Sequence, residues 1–493
     1  MKKSANSVIE KIKSVALVVL FLWTILLLYF YWEDLRFENL SLDGLHLPFE
    51  NGSEQRLQVT DIVIPGHIDV CIGNDTFTKL ESEKIACWDS GSVSILSLFR
   101  QVLSSEDTYI EEISKQQYEE IMKYESVRAV FDYTLPLREY CEVLEVRVPP
   151  TVEGLKNLSE IGFSAGSSES TFLYDRSTNR YYRIVSDVSA DELLKKTAEM
   201  AASENLTYYP ISSLVGQELS ARVLVPAILT ADLTEESVRL ADEEDPVPEI
   251  AARSFFTDTF DFVRKIEEQS GKTIYMYGYG ERTLIVDTDG SIEYKADAPE
   301  RSTDRYFTAL ERVLAKLSEQ KLLFGEGSAE LSLRLTYAEA LAGGGYRFEF
   351  GVTVDGENLY LEDGRLIEAE VSGDQITYFK CRKLVFDNGT RGEMAEAMSP
   401  INVVAENYEI LYALMSGTRA EKSVPERETE EHFDAVVQAI SDMDYGYVLP
   451  RGETILRPCY TVFLNAGNLE VYFDLYTAEY LGANLLYESR TKE

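Results

Sequence analysis

The spacing of hydrophobic positions changes along this chain, and each change of period marks an element. Phe256, Phe260, Val263 and Ile266 recur at three- and four-residue intervals, predicting one apolar face of an amphipathic helix. Thr273–Met276 and Thr283–Val286 then read as strands, and Asp289-Gly290 turns the chain into a further strand at Ser291–Lys295. The order repeats downstream. Tyr306, Leu310, Val313 and Leu317 share a helical face. LSLRLTY then alternates at Leu331, Leu333, Leu335 and Tyr337, as a half-buried strand requires. Gly343-Gly344-Gly345 leads into YRFEFGV, which alternates at Tyr346, Phe348, Phe350 and Val352. Asp355-Gly356 and Asp363-Gly364 are turns, and IEAEV alternates at Ile367, Ala369 and Val371. A third helix, with Phe433, Val436, Val437 and Ile440, precedes strands at Tyr460–Leu464 and Leu469–Phe473.

The region from Leu57 to about Val185 is more mixed. Helices are expected near Val93–Leu103, Ser114–Lys123 and Val152–Ile161, with strands at VRAVFDY and LEVRV. Ser189 with Glu192 forms a capping box for a helix starting near Asp191. Breaks fall at Pro149-Pro150, at the acidic stretch Asp242–Pro248, at Ala298-Pro299 and at the charged run Thr418–Glu428. The expected fold class is therefore α+β, with amphipathic helices packed on antiparallel sheets in tandem domains. These comprise an N-terminal mixed domain over 57–185, a central helix-plus-sheet domain over 186–300 and a C-terminal one over 301–493.

One segment has no periodicity. Val15–Trp32 reads VALVVLFLWTILLLYFYW, with Thr24 its one clearly polar side chain. Eighteen residues at about 1.5 Å each span roughly 27 Å as a helix, close to the roughly 30 Å of a bilayer's hydrocarbon core. Tyr29, Tyr31 and Trp32 gather at its far end, where amphipathic rings suit the headgroup level. A cleaved signal peptide would have an apolar region of about 7–15 residues ending at small residues. YFYWEDLRF offers no such site, so an uncleaved single span is expected. Residues 1–14 form a tail bearing Lys2, Lys3, Lys11 and Lys13, which places the N-terminus in the cytoplasm. Residues 33–56 are then a linker, and the bulk of the chain is extracytoplasmic.

Charge narrows the partners. Eighty-five acidic against 47 basic residues give a net charge of −38, and the tail's +3 leaves −41 beyond the span. Such a surface repels phosphate backbones, so nucleic-acid binding is not expected. The five cysteines, Cys71, Cys87, Cys141, Cys381 and Cys459, are widely spaced and odd in number. That leaves room for one bridge, such as Cys71 with Cys87, but favours buried free thiols.

Motifs with chemical meaning are few. Gly162-Phe163-Ser164-Ala165-Gly166 fits G-x-S-x-G, whose serine is reactive only on a strand-to-helix turn. Here a helix is expected before it and a strand after it, the wrong order, so a small-residue loop is the preferred reading. His46, His67 and His432 are isolated, so no metal site is expected. Asp287-Thr288-Asp289-Gly290 resembles the start of a calcium loop, but Ala298 stands at the twelfth position and a hairpin turn fits better. Tyr275, Tyr277 and Tyr279 at strand spacing could stack a sugar, though one face of a sheet packing on its helix is the preferred reading.

Longer segments resemble a known family. Phe255 to Tyr294 (FFTDTFDFVRKIEEQSGKTIYMYGYGERTLIVDTDGSIEY) is similar to the central part of the YycH family. LRLTY…GGGYRFEFGV…LIEAEVSGDQITYFKCR has a pattern shared with the sister YycI family. Trp88 and VRAVFDYTLPL resemble the N-terminal YycH domain, and the basic tail before a single anchor matches too. This chain departs in being longer and unusually acidic. The resemblance implies a single-span extracytoplasmic protein of Gram-positive bacteria with three outer domains. It further implies association with an essential sensor histidine kinase that controls cell-wall metabolism, signalling partly through membrane helices, and no catalytic residues or cofactor.

The expected function is thus a non-enzymatic regulator of a membrane sensor kinase, with a YycI-like membrane protein as a further partner and lipid around the anchor. The alternative is a surface module for wall glycan or peptide. Ala16, Leu20, Thr24, Leu27 and Tyr31 share roughly one face of the span and are the candidate partner-contact residues. Thr24 either bonds across to a second helix or back to its own backbone.

Overall fold

The computed structural model describes residues 57–486 apart from 74–75, 82–86, 90, 106–107, 148–153, 166–170, 205, 216–222, 241–246, 289–290, 299–303, 320–330, 383, 387–393, 418–425 and 466–467. The expected span at 15–32, with Ala16, Leu20, Thr24, Leu27 and Tyr31, lies outside these residues. Among the described residues no helix is long and apolar enough to cross a membrane.

Two large sheets organise the chain. The first contains β1 (His67–Cys71), β2 (Phe77–Glu81), β3 (Tyr109–Ile113), β4 (Ser126–Pro136), β5 (Asn157–Ser164), β6 (Thr171–Asp175), β7 (Arg180–Val185), β8 (Tyr208–Pro210) and β9 (Leu224–Pro226), in the order β3-β7-β6-β5-β4-β1-β2-β8-β9. Its helices are α1 (Val59–Ile62), α2 (Ile95–Ser104), α3 (Lys115–Ile121), α4 (Leu137–Val143), α5 (Asp191–Glu204) and α6 (Ile211–Val215). The Ser94 hydroxyl accepts from the Ser97 amide and the Ser97 hydroxyl from the Ser94 amide, fixing the start of α2. Helix α2 buries Ile95, Phe99, Val102 and Leu103, and nearby Trp88 meets Phe131 edge-on at 5.6 Å. At α5 the Ser189 hydroxyl accepts from the Asp191 amide, at the position the sequence marks as a cap.

After β10 (Thr230–Ala231) and β11 (Glu236–Leu240), helix α7 (Val247–Phe256) opens the second sheet region. Here the structure corrects a sequence expectation. The helix ends at Phe256 because Thr257 takes a left-handed conformation (φ 41°); a 3-10 turn over Thr257–Phe262 and an extended strand follow. Phe256 and Phe260 still face the sheet, Phe260 over Tyr275 at 6.4 Å, but Ile266 lies on an exposed strand. The strands are β12 (Arg264–Glu267), β13 (Thr273–Tyr277), β14 (Arg282–Val286) and β15 (Ile292–Ala296). After α8 (Tyr306–Glu319) come β16 (Leu331–Ala340), β17 (Tyr346–Val354), β18 (Glu357–Leu361), β19 (Ile367–Ser372), β20 (Gln375–Cys381), β21 (Leu384–Phe386) and β22 (Ala395–Glu396). Helices α9 (Pro400–Ser416) and α10 (Glu426–Ala439) precede β23 (Ile440–Leu449), β24 (Ile455–Leu464), β25 (Leu469–Asp474) and β26 (Tyr480–Leu485).

The expected alternation on β16, β17 and β19 is present, with Leu335, Phe348, Phe350, Ile367, Ala369 and Val371 buried under Tyr306, Leu310, Val313 and Leu317 of α8. Strand β15 pairs with β20, and β18 pairs with β23, so the three helix-plus-sheet segments share one sheet. Among the described residues every strand pairing is antiparallel except β18–β23. That parallel pair needs a close approach: a Cβ on Gly446 would sit 2.3 Å from the Asn358 carbonyl. Helix α8 also meets the first sheet's helices, where Phe307 stacks on Tyr140 at 5.9 Å, so one hydrophobic core runs between the two sheets.

Two further expectations fail near the N-terminus. The strand expected at LEVRV is absent over residues 144–147, where Leu144 and Glu145 form the turn after α4; Val148 lies outside the described residues. The helix expected over Val152–Ile161 is instead β5 from Asn157 onward, paired with β4 on one side and β6 on the other. Its Ile161 and Phe163 enter the core. Sheet pairing overrides the local spacing that suggested a helix.

Candidate functional site: a charged seam between the sheets

Charged residues at alternate positions of apolar strands ordinarily face water. On the central strands of the first sheet they do not. Asp69 of β1 lies opposite Lys79 of β2 and opposite Arg128 of β4, so all three project from the face away from α2 and α5. The Arg128 guanidinium donates to Asp69 Oδ2 from Nε at 3.0 Å and from Nη2, and to Glu160 Oε2 from Nη1 at 3.2 Å. Tyr118 of α3 donates to the same Glu160 oxygen at 2.8 Å. Asp69, Arg128 and Glu160 are all buried.

The seam crosses to the second sheet through Lys79, whose side chain is only 7% exposed. Its ammonium lies 3.9 Å from both Asp442 and Asp444 of β23 and 3.4 Å from the Met443 carbonyl. Asp444 Oδ2 accepts from Asn358 Nδ2 at 2.7 Å and from the Tyr360 hydroxyl at 2.8 Å. Asn358 Oδ1 accepts from Arg334 of β16 at 3.0 Å, and Arg334 donates to Asp132 of β4. The circuit therefore leaves the first sheet at β2 and returns to it at β4.

A second cluster extends it toward the C-terminus. Arg365 grips Glu470 of β25 in a fork, with contacts of 2.7 and 3.0 Å, and donates to Glu349 at 3.2 Å. Arg347 lies 3.1 Å from Glu349 and donates to Glu368 at 3.0 Å. A small, shallow cleft lies between the two clusters, lined by Arg334, Thr336, Asn358, Tyr360, Gly364 and Arg365 among others.

Electrostatics follow from burial and pairing. Burial opposes the charge on Asp69 and Asp444, but Arg128 beside the first, and Lys79 and the Tyr360 hydroxyl beside the second, hold both carboxyls below their ordinary range. Burial drives the Tyr118 and Tyr360 phenols well above theirs, and their carboxylate partners add to it. Glu349 is raised, because burial outweighs Arg365 and Arg347. These are paired, enclosed groups whose arrangement ties two sheets together.

The motifs weighed in the sequence occupy other surroundings. Ser164 ends β5, is buried and donates to the Ile121 carbonyl at 3.3 Å. Gly162 makes room for Met122, whose Cε would lie 2.8 Å from a Cβ there. His67 sits 3.6 Å from Asp69; His432 contacts Glu409 at 3.2 Å and stacks on Tyr412. Asp287 lies between the antiparallel neighbours β14 and β15, its amide donates to the Ser291 carbonyl at 2.9 Å as in a hairpin, and its carboxylate pairs with Lys272 at 2.6 Å; Asp289 and Gly290 lie outside the described residues. Tyr275 is buried, Tyr277 lies under Arg282 at 4.3 Å, and Tyr279 is fully exposed in the following turn, so the three rings do not form one platform. All five cysteines are buried.

None of the seam residues was singled out from the sequence. The available signal was the presence of Asp69, Arg128 and Glu160 within apolar strands, and it reads equally as a wet sheet face.

No protein-family profile and no curated protein matches the chain. Among solved structures, it is similar to YycH from Bacillus subtilis with a TM-score of 0.51 at 12% identity, covering 84% of this chain and 96% of that one. A likeness to the C-terminal domain of YpeB from Bacillus megaterium, at 12% identity, covers 51% of this chain and 100% of that one, but its TM-score of 0.26 is too low to relate the folds. The α+β fold described above is thus similar to that of YycH over most of both chains, in agreement with the resemblance carried by Phe255–Tyr294 and the C-terminal strands.

Proposed function

We propose that this protein is a membrane-anchored, extracytoplasmic regulator that associates with a sensor histidine kinase of a cell-wall two-component system and modulates its activity. The observation that carries this reading is the likeness to YycH in fold across 84% of the chain. The eighteen-residue apolar run before it supports attachment to the membrane. A regulator of this kind must bind the kinase's alternative states with different free energies, since equal affinity shifts nothing. In this reading the charged seam makes the two sheets move together, so a contact on either is felt at the anchor, and the face bearing Ala16, Leu20, Thr24, Leu27 and Tyr31 meets the kinase or a YycI-like partner. The wall-glycan alternative loses support from Tyr275, Tyr277 and Tyr279, which do not share a surface. A hydrolase at Ser164 is disfavoured by the burial of its hydroxyl, and Ser164→Ala is expected to leave function unchanged.

In-cell photo-crosslinking from Leu20 and Thr24, with adducts identified by mass spectrometry, tests the proposal. Capture of a histidine kinase is the expected result. Lipid adducts alone, from abundant folded protein, would refute contact through this helix.

A further inference from the structure

Strand β12 ends the second sheet. It pairs with β13 alone among the described residues, and Arg264, Lys265, Ile266 and Glu267 are all exposed. The hairpin closes with the Glu268 amide donating to the Lys272 carbonyl at 2.9 Å. Hydrogen bonding alternates along an antiparallel edge, so Arg264, Ile266 and Glu268 turn their backbone groups toward β13. Lys265 and Glu267 turn theirs outward, where no strand among the described residues pairs with them.

Edge strands ordinarily block pairing with charge, and this one carries Lys265. Yet the run Arg264-Lys265-Ile266-Glu267-Glu268 is complementary to itself when read antiparallel. A twofold axis through Ile266 sets Lys265 against the second copy's Glu267, Arg264 against its Glu268 and Ile266 against its Ile266. Moving the axis to Lys265 opposes lysine to lysine, and moving it to Glu267 opposes glutamate to glutamate. One register alone satisfies the charges. In that register the Lys265–Glu267 positions are those with outward backbone groups, so each such pair exchanges two hydrogen bonds.

The side chains agree. Ile266 lies beside Ile274, and Ile274 beside Ile285, forming an aliphatic row on the face away from Tyr275 and the helices. Ile266, at the open end of this row, is 36% exposed. On the other face Lys265 and Glu267 pair with each other along the strand at 2.7 Å, with side chains 51% and 69% exposed, so docking exchanges this pair for two equivalent pairs across the edge.

We propose that β12 is a homotypic docking edge: two copies of this chain join antiparallel about Ile266, continuing the sheet and the isoleucine row from one copy to the next. The proposal is independent of the kinase reading, since it concerns self-association alone.

Cysteine cross-linking of the full-length chain in detergent micelles tests it. The five natural cysteines are buried, so an introduced thiol is the reactive one. At a non-hydrogen-bonded antiparallel pair the Cα atoms lie about 4.5 Å apart, within disulfide reach. Arg264 and its own mate would be offset by four residues, roughly 13 Å along the strand. Under mild oxidation Ile266→Cys is expected to give about tenfold more covalent dimer than Arg264→Cys. Adding Lys265→Glu to Ile266→Cys should reduce the yield to the Arg264→Cys level, and adding Lys265→Glu with Glu267→Lys should restore it. Equal yields from Ile266→Cys and Arg264→Cys, persistence with Lys265→Glu, or failure of the double exchange to restore it, would each overturn the proposal.

Discussion

Replacing Arg128 with Met asks the most of the seam. The change keeps a long apolar stem but removes the donor that makes two hydrogen bonds to Asp69 and one to Glu160. Both carboxylates remain buried, so the cost is that of stranded charge, not merely of lost bonds. Breaking a buried pair by removing one partner costs about 3–5 kcal/mol, and about 4 kcal/mol corresponds to roughly a thousandfold fall in the folded-to-unfolded ratio. Trp88, packed on Phe131 of β4, is the one tryptophan among the described residues and reports the transition in denaturant titrations. The pH dependence provides a second signature. With Arg128 present, Asp69 is held below its ordinary range, so its stabilisation is present above the unfolded carboxylate value and is lost as pH falls through the folded one. Without Arg128, burial dominates and raises the Asp69 carboxyl, so the variant's deficit should shrink as pH falls from 8 toward 5. Adding Asp69→Asn should recover part of the loss. A deficit under about 1 kcal/mol that stays constant with pH would refute the reasoning, because a paired buried guanidinium could not then be holding Asp69 ionised.

Three further outcomes are expected. Gly446→Val forces a side chain against the Asn358 carbonyl and should cost about 1–3 kcal/mol, with faster hydrogen exchange in β18 and β23; wild-type exchange there would contradict the close approach. Arg365→Lys keeps the charge but loses the fork on Glu470, and a loss of about 1–3 kcal/mol should appear in unfolding titrations. The five cysteines should resist thiol reagents until the protein unfolds, since burial pushes Cys87 up to about 11 and Cys141 up to about 12; rapid labelling of the folded chain would show that these sites open.

Much of the fold was legible where local pattern and burial coincide. The face of α8 and the alternation on β16, β17 and β19 follow from side-chain period, and the hairpin after Val286 from its turn residues; on α10 Val436 and Val437 are buried as expected, but Ile440, expected on the same helix, opens β23 instead. Helix α9 also carries a local signal: Ser399 and Pro400 open it, Gly417 closes it in a left-handed conformation (φ 67°), and Val403, Val404, Asn407 and Leu411 are buried between. The helix expected through Ile266 failed for a local reason, the left-handed Thr257, which no spacing of apolar residues reveals. Residues 152–161 failed for a non-local one, since β5 is a strand by virtue of its two neighbours.

By itself the sequence determined the α+β class, the helix-then-strands order, the acidic surface and the segment suited to a bilayer. Each depends on residue type and on contacts close along the chain. Tertiary structure alone decided that β15 meets β20, that β18 meets β23, and that Lys79 and Asp132 of the first sheet meet Asp444 and Arg334 of the second. Asp69, Lys79, Arg128, Arg334 and Asp444 look like solvated residues in sequence, because a strand's period fixes which face a side chain takes but not what covers that face. Their burial depends on partners as far apart as Lys79 and Asp444, and only the folded chain brings such charges out of water together.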